Sequence, residues 1–149
     1  PNSMTGVARQ IHSRHSRLGV SSAADVARLP AADLKPSEFL FFSWRDGKGR
    51  KLGENDFFPE AYKYYDLPAA DVKASWSEEE GKPVLTLTTD RPALFVTATA
   101  SVPGYFSDNA VTLLPGRPAH LSFTPRHGAK ADRQALAAGL KIGHLRQTY

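Results

Sequence analysis

The densest cluster of acidic side chains in this sequence is Glu78-Glu79-Glu80, which Gly81 and Lys82 follow directly. Hydrolysis assisted by a carboxyl pair needs two such groups held at a fixed separation on a rigid frame. Adjacent glutamates before a glycine are instead typical of an exposed hairpin loop, where water keeps every group ionised and unpositioned. We therefore interpret the cluster as a solvated turn and assign no catalytic residue to the chain.

The histidines offer the next candidate chemistry, because His12 and His15 have the spacing that places two side chains on one helix face. Their neighbours are serines and arginines, which supply no third ligand, and the sequence has no cysteine. No serine lies in a Gly-x-Ser-x-Gly turn, and Gly47 and Gly49 belong to a hairpin turn rather than to a phosphate-binding loop. The sequence therefore predicts no metal site and no cofactor, and the chain alone is predicted not to be an enzyme.

Residues 103–109 form the most informative loop of the sequence. The run Ser107-Asp108-Asn109 has short polar side chains that bond nearby backbone groups and stabilise a tight bend. Phe106 is predicted to anchor this loop from inside, so that Tyr105 becomes its exposed tip. The candidate contact residues, for carbohydrate or for a protein partner, are Tyr105, Asp108 and Asn109.

The formal net charge of +4 comes from 19 basic and 15 acidic residues. Residues 117–149 carry six basic side chains and one acidic one, but these are widely spaced and lack interleaved aromatics. The pattern indicates a solvated face and no nucleic-acid partner. No apolar run approaches the roughly 20 residues that cross a bilayer, so we expect no membrane partner. No signal peptide is visible, and residues 1–4 look like an expression scar. The sequence therefore does not indicate a cellular compartment.

Most of the readable segments have strand character. Val72, Ala74 and Trp76 alternate with polar residues, which is the period of a half-buried strand. A hairpin is predicted over residues 39–58, and further short strands are predicted near residues 84–88, 94–100, 111–114, 120–124 and 140–145. Short strands with regular turn signals indicate an all-β sandwich. Its predicted core side chains are Trp76, Leu85, Leu87, Phe95, Phe106, Leu114 and Phe123.

Two segments depart from this strand pattern, and a third continues it. The run Ser22-Ala23-Ala24-Asp25 has the spacing of a helix start, and Pro30 would end that helix. Residues 129–139 are rich in alanine and fit a short helix or a loose loop, with Gly139 suited to a helix end. The run Tyr62-Lys63-Tyr64-Tyr65 is predicted to be extended, since it consists of large β-formers.

An ordered set of motifs in the second half of the sequence carries a family resemblance. The set is Phe106-Ser107-Asp108-Asn109, Leu113-Leu114-Pro115-Gly116, Phe123-Thr124-Pro125 and a closing Leu140-Lys141-Ile142, Leu145 and Thr148-Tyr149. Together these motifs resemble the C-terminal immunoglobulin-like domain of β-mannosidases, which are multidomain family-2 glycoside hydrolases that remove terminal β-linked mannose. Residues 36–71 look like the end of the sandwich domain that precedes it in such enzymes.

The resemblance implies an all-β chain in two parts. Residues 72–149 would be an immunoglobulin-like antiparallel β-sandwich, and residues 5–68 the C-terminal part of a preceding, second β-sandwich domain. The parent would be a retaining β-mannosidase whose two catalytic glutamates lie in an upstream barrel domain, so no catalytic residue carries over. This chain would then be a non-catalytic structural domain that packs against the catalytic barrel domain, and alone it should hydrolyse no β-mannoside.

The sequence departs from the family in two places. Residues 126–139 are longer than the family pattern suggests, and the first domain is shorter than the ~100 residues of a complete sandwich. A shortened sandwich exposes a sheet edge, so the resemblance also predicts a homo-oligomer that forms through this edge.

Two other functions fit the sequence. A carbohydrate-binding module would stack exposed aromatics on sugar rings, with the candidates Trp44, Tyr62, Tyr64, Tyr65, Trp76 and Tyr105. Sandwich cores also bury aromatic side chains, so solvent exposure distinguishes a core residue from a sugar-binding one. Three coplanar, solvent-facing aromatics on one sheet would favour sugar binding. The third possibility is an unrelated immunoglobulin-type interaction domain, which composition leaves open.

Overall fold

A computed structural model of the chain describes the backbone of residues 2–3 and residues 9–25, 27–30, 33–126 and 132–148. The chain divides into two compact units, Pro1–Asp66 and Leu67–Tyr149. A few residues named in the sequence predictions lie outside the described ones: Pro1 and Met4 of the expected scar, Ala129 of the alanine-rich segment, and Tyr149 of the closing motif.

The described strands of the first unit are β1 Asn2–Ser3, β2 Leu40–Arg45, β3 Lys51–Phe57 and β4 Tyr65–Asp66. β1 and β4 form a short parallel pair, and β2 and β3 form the predicted antiparallel hairpin. In its turn, the Asp46 carboxylate accepts hydrogen bonds from the backbone N of Arg50 and of Lys48, both at 2.9 Å. These bonds, the one from Arg50 foremost, lower the pKa of Asp46 from its ordinary value. The pinned carboxylate fixes the register of the two strands.

Phe58 is the centre of an aromatic cluster in the first unit. Its ring stacks on that of Phe39 with centroids 4.5 Å apart, and it meets Tyr62 and Tyr65 edge-on at 4.9 and 5.4 Å. The prediction of an extended run over residues 62–65 is correct for Tyr65, which begins β4, and wrong for Tyr62–Tyr64, which forms one turn of 3-10 helix. That turn brings Tyr62 against Phe58, and this packing overrides the strand propensity of Tyr62.

The described part of the second unit is a two-layer β-sandwich. Its strands are β5 Val72–Glu79, β6 Lys82–Thr89, β7 Ala93–Thr99, β8 Gly104–Phe106, β9 Val111–Leu113, β10 Ala119–Pro125 and β11 Lys141–Gly143. One sheet has the order β5-β6-β10-β8 and the other β11-β7-β9, with every neighbouring pair antiparallel. Four strands facing three is the arrangement of an immunoglobulin constant-type sandwich. The predicted all-β, immunoglobulin-like fold is thus confirmed.

The core lies between the two sheets, since side chains of both belong to one buried cluster. Of the predicted core residues, Trp76, Leu85, Leu87 and Phe123 are buried. Phe106 is partly buried and packs against the same cluster. Burying a large apolar side chain contributes about 1.5–3 kcal/mol, so these residues supply much of the drive to fold.

The prediction of Phe95 as a core residue is wrong because β7 carries an irregularity. Its register with β9 shifts between Ala93 and Val96, and Phe95 takes a φ of 50° there. The alternation of faces is interrupted at this point, so Leu94 and Val96 are both buried while Phe95 is only half-buried.

The prediction of Leu114 is also wrong by one position, because Leu113 is the buried residue. Leu114 already belongs to the next turn, where its carbonyl accepts a hydrogen bond from the backbone N of Arg117 at 3.0 Å. Pro115 and Gly116 occupy the two central positions, and Gly116 has a φ of 71°. This is the sequence pattern of a type II turn.

The alanine-rich segment contains the helix α1, Arg133–Ala138, so the helical alternative is correct for its described residues. Asp132 caps the helix by accepting a backbone hydrogen bond, and Leu136 is fully buried in the core. The helix ends at Gly139, where a Cβ would lie 1.9 Å from Ser101 Oγ, so this close approach requires glycine.

The helix expected after Ser22 does not form among residues 9–25 and 27–30. The backbone N and Oγ of Ser22 instead donate to the carbonyl of Gly19, at 3.3 and 2.7 Å, and close a turn. A 3-10 helix, Leu145–Thr148, follows β11. Within the described ranges, no helix has the length and apolar character needed to cross a membrane.

Candidate functional site

Asn109 holds the loop between β8 and β9 against β7. Its Oδ1 accepts a hydrogen bond from the backbone N of Ala98 at 2.9 Å, and its Nδ2 donates to the Ala98 carbonyl at 3.1 Å. The amide therefore forms the hydrogen bonds that a neighbouring strand would form with β7. Ala98 lies past Val96, the last residue of β7 that pairs with β9. Oδ1 also accepts from the backbone N of Ala110 at 3.1 Å, so the side chain is committed to the backbone.

The two residues before Asn109 are bonded to the backbone as well. Asp108 Oδ1 accepts from the backbone N of Asn109 at 2.7 Å. The backbone N of Ser107 donates to the Ser122 carbonyl at 2.8 Å, and Ser107 Oγ accepts from the backbone N of Ser122 at 3.0 Å. These bonds extend the ladder between β8 and β10 and fix the bend.

Phe106 and Tyr105 are consecutive in β8 and therefore face opposite sides of the sheet. The Phe106 ring lies 6.0 Å from Trp76 and 5.2 Å from Phe123, between centroids. Tyr105 is 59% exposed and lies across from Thr124 of β10. The structure thus separates the three candidate contact residues: Tyr105 faces solvent, whereas Asp108 and Asn109 hold the loop. Their contact role stays a prediction.

An open depression of about 370 Å³ lies at the end of the four-stranded sheet. Its lining includes Glu78, Lys82 and Pro83 from the β5–β6 hairpin and Phe123, Thr124 and Pro125 from β10. Because Thr124 both lines the depression and pairs with Tyr105, the two features are neighbours on this unit. Glu78 and Lys82 supply one carboxylate and one ammonium group, so the surface offers aromatic, apolar and charged contacts together.

Solvent exposure separates the six aromatic candidates for sugar binding. Tyr65 and Trp76 are buried and belong to the interiors of their units. Those that are exposed are Trp44, Tyr62, Tyr64 and Tyr105. Tyr62 contacts the ring of Phe58, and Tyr64 lies under the Lys63 ammonium group at 5.1 Å. The third exposed candidate of the first unit is Trp44, which lies on β2.

Two exposed aromatics beside Trp44 were missed by the sequence reasoning. Phe42 and Phe57 lie on the same face of the β2–β3 hairpin as Trp44, as the register of the pair requires. The spacing of two residues between Phe42 and Trp44 was a usable signal, because alternate residues of a strand share a face.

The remaining chemical candidates lie apart from these surfaces. The acidic run forms the predicted hairpin, since β5 ends at Glu79 and β6 begins at Lys82. His12 and His15 are exposed. Over the described ranges, no group of three or more His, Cys, Asp or Glu side chains is arranged to hold a metal ion.

His144 is a buried titratable group near the end of the chain. Its Nδ1 has no hydrogen-bond partner among the described residues, while its backbone N donates to Gln147 Oε1 at 3.1 Å. Burial first, and then the positive charge of Arg146, lower the pKa of His144 from the usual 6.5. The residue therefore favours its neutral form in the fold.

Comparison with known proteins gives two findings. The mannosidase Ig-fold domain family (Ig_mannosidase) matches residues 67–148 of the chain. Among solved structures, the chain is similar to the β-D-mannosidase of Dictyoglomus thermophilum, with a TM-score of 0.63 and 21% sequence identity. That likeness covers 76% of this chain and 14% of the bacterial protein, so this chain spans a small part of its length. No curated protein matches the sequence.

Proposed function

The chain belongs to the family of mannosidase Ig-fold domains, and from that membership we propose that its second unit is a non-catalytic structural domain of a β-mannosidase-like glycoside hydrolase. The parent enzyme would hydrolyse terminal β-D-mannosides with two glutamates of a separate barrel domain. The family match over residues 67–148 carries this proposal.

The bonding pattern of the most polar loop supports a structural role. Asp108 and Asn109 supply a carboxylate and an amide, the groups that sugar sites use, yet both are bonded to backbone amides. A group that already holds a bend is poorly placed to exchange partners with a substrate. The loop is better suited to present Tyr105 than to act on a substrate.

The surface formed by Tyr105 and the adjacent depression is the proposed contact with the catalytic barrel. Tyrosine combines a large apolar ring with a polar tip and is enriched at protein interfaces for that reason. Here it stands 59% exposed beside a concave area lined by Pro83, Pro125 and Phe123. Glu78 and Lys82 would set the orientation of the partner through charge.

The first unit fits the end of a preceding sandwich domain in the same proposal. The likeness to the bacterial β-D-mannosidase fold covers more of the chain than residues 67–148 make up. A two-stranded hairpin is marginal alone and needs further strands or a packed face. We take residues 5–68 as the C-terminal part of such a domain.

The test uses the polypeptide that the complete gene encodes. We expect it to hydrolyse an aryl β-mannoside and to lose this activity when either of two barrel glutamates is replaced. Tyr105→Ala should lower its melting temperature and its activity, while the 149-residue chain with the same change keeps its stability within about 0.5 kcal/mol. Tyr64→Ala, at another exposed tyrosine, is the matched control.

Two results would contradict the proposal. A complete gene product without a barrel domain, or without β-mannosidase activity, would remove the enzymatic context. An active enzyme that is insensitive to Tyr105→Ala and to Thr124→Lys would show that this surface makes no contact with the barrel.

A further inference from the structure

One face of the β2–β3 hairpin carries a row of exposed aromatic side chains. Phe42 and Trp44 alternate along β2, and Phe57 lies on β3 opposite Leu40, so all three share one face. These residues are 46%, 48% and 50% exposed. We call this set, Phe42, Trp44 and Phe57, the aromatic face. Large apolar groups exposed together mark an interaction site more often than isolated ones do.

Trp44 lies flat on the backbone of β3. It pairs with Gly53 across the hairpin, and a Cβ on Gly53 would lie 2.2 Å from Trp44 Cζ2 and 2.6 Å from Cε2. The six-membered ring of the indole therefore covers the glycine directly, in space that any other residue would fill. One face of the ring is therefore seated on the strand, while the residue as a whole is 48% exposed.

Phe42 places a second aromatic ring next to Trp44 along the strand. Its ring centroid is 6.3 Å from that of Trp44, and the two ring planes differ by 29°. Opposite Phe42 on the same face lies Asn55, whose side chain is exposed. Asn55 Oδ1 accepts from the backbone N of Asp56 at 2.9 Å, which leaves the Nδ2 group as a donor for a ligand. The row thus combines ring faces with a neutral polar group.

We propose that the aromatic face binds the pyranose rings of a β-linked oligosaccharide. The C–H groups on one side of a pyranose ring carry partial positive charge, and the face of an aromatic ring carries partial negative charge. Two adjacent exposed rings, with centroids 6.3 Å apart and planes inclined by 29°, offer one ring face to each of two successive sugar units. The Asn55 amide would donate to a hydroxyl group at the margin of this stack.

The seating of Trp44 favours a flat ligand over a second β-sheet. Sheets that pack face to face interdigitate side chains that stand upright from each strand. At Gly53 there is no side chain to insert, and the indole lies down over that position. An indole that lies flat on the strand offers one ring face for stacking, as exposed aromatic side chains do for the bases of single-stranded nucleic acids.

The test is a titration of the 149-residue chain with two probes, β-1,4-mannohexaose and cellohexaose. The choice of the mannan probe rests on the proposed function, whereas the cellohexaose probe does not. Binding is followed by calorimetry and by tryptophan fluorescence, in which Trp44 is the exposed one of the two tryptophans. We expect saturable binding of at least one probe, and a weakening of about tenfold or more in Trp44→Ala and Phe42→Ala.

Three variants make the assignment specific. Gly53→Val keeps the indole of Trp44 but displaces it from its position over residue 53. This variant should weaken binding, while its amide NMR spectrum should still show a folded hairpin. Trp44→Tyr should retain part of the affinity, since a flat ring remains. Tyr64→Ala, which removes an exposed ring outside the aromatic face, should bind as the unchanged chain does.

The outcomes are distinct. Absence of binding of both probes at millimolar concentration, or binding that Trp44→Ala leaves unchanged, overturns the proposal. Self-association that Trp44→Ala abolishes, with no competition by either sugar, overturns it in favour of a protein partner. Binding of cellohexaose alone supports the aromatic face as a sugar site and counts against the β-mannan context. The proposed function is tested separately, by the activity of the complete gene product.

Discussion

The side-chain amide of Asn109 forms hydrogen bonds with the backbone of β7, at a place where a neighbouring strand would otherwise pair. Its three hydrogen bonds satisfy the N–H and C=O of Ala98 and the N–H of Ala110. A buried or half-buried backbone group that loses its partner costs more free energy than the average hydrogen bond contributes. The loop that presents Tyr105 therefore depends on this one residue.

Asn109→Ala is expected to lower the free energy of unfolding by about 1–3 kcal/mol, because both bonds to Ala98 are lost together. Asp108→Ala removes one bond to an exposed amide and is expected to cost about 1 kcal/mol or less. Urea denaturation followed by circular dichroism measures both. Equal losses in the two variants would show that the amide is not the main anchor.

His144 is expected to make the stability of the fold fall in mild acid. Burial and Arg146 lower its folded-state pKa below the unfolded value of 6.5, so the unfolded chain binds the proton more readily. The stability that the fold gains from keeping His144 neutral is complete above pH 6.5. It is lost as the pH falls from 6.5 through the folded-state pKa of His144.

The measurement is the unfolding free energy of the chain and of His144→Gln between pH 7.5 and pH 4.5. The variant should show a shallower decline over this range. An unchanged slope in His144→Gln would refute the assignment.

At the residue scale, alternation predicted most of the core but failed where the backbone departs from a regular strand. Trp76, Leu85 and Leu87 follow the period of two and are buried. Phe95 breaks it because its φ is positive, and no local sequence signal distinguishes a phenylalanine in that conformation. The sequence predicted that Asp108 and Asn109 bond to nearby backbone groups, but only the coordinates show that Asn109 bonds to Ala98 of β7.

Among the elements, the β5–β6 hairpin turns through only two residues, Glu80 and Gly81. Both have positive φ, 49° and 74°, which is typical of the type I′ turn that matches the twist of antiparallel strands. Glycine adopts this conformation freely, but a glutamate there is strained. The turn is thus a weak point in an otherwise regular pair of strands.

Replacing Glu80 by Asn is expected to stabilise the second unit by about 0.5–1 kcal/mol, because asparagine tolerates the left-handed conformation better. Glu79→Asn, one residue earlier in β5, is the matched control and should be neutral or destabilising, since asparagine is unfavourable in strands. Thermal unfolding monitored at Trp76 measures the difference. No gain in Glu80→Asn would contradict the turn assignment.

Element types were predictable wherever period and turn chemistry agreed. The Asp46 turn, the hairpin after the acidic run and the helix end at Gly139 all lie where the sequence placed them. The turn at residues 62–64 was not predictable in this way, because it depends on the packing of Tyr62 against Phe58. Strand propensity describes a residue in isolation, whereas the conformation of this turn depends on a side chain that packs against it.

For the whole molecule, the open edges of the β2–β3 hairpin predict self-association. In the part of the chain that the structure describes, these two strands pair only with each other, and unpaired edges template further strands. Sedimentation over a range of concentrations should show a reversible dimer. Amide exchange in β2 or β3 should slow as concentration rises, which distinguishes edge pairing from contact of side chains. A single monomeric species at all concentrations would contradict this expectation.

The division into Pro1–Asp66 and Leu67–Tyr149 also predicts that the two units unfold separately. Among the described residues, every buried hydrophobic side chain except Tyr65 belongs to the second unit. Since burial of apolar area supplies most of the stability of a domain, the second unit should be the more stable one and should fold alone.

A polypeptide of residues 67–149 is therefore expected to keep the amide spectrum that these residues have in the full chain. Its melting temperature should equal that of the upper of two transitions in the full chain, with the lower transition missing. Arg146 Nε donates to the Leu67 carbonyl at 3.0 Å, so the unit must begin at Leu67 for this bond to form. A shorter polypeptide of residues 72–149, which lacks that carbonyl, is expected to melt several degrees lower. An unfolded 67–149 polypeptide, or one cooperative transition in the full chain, would show that the two units depend on each other for stability.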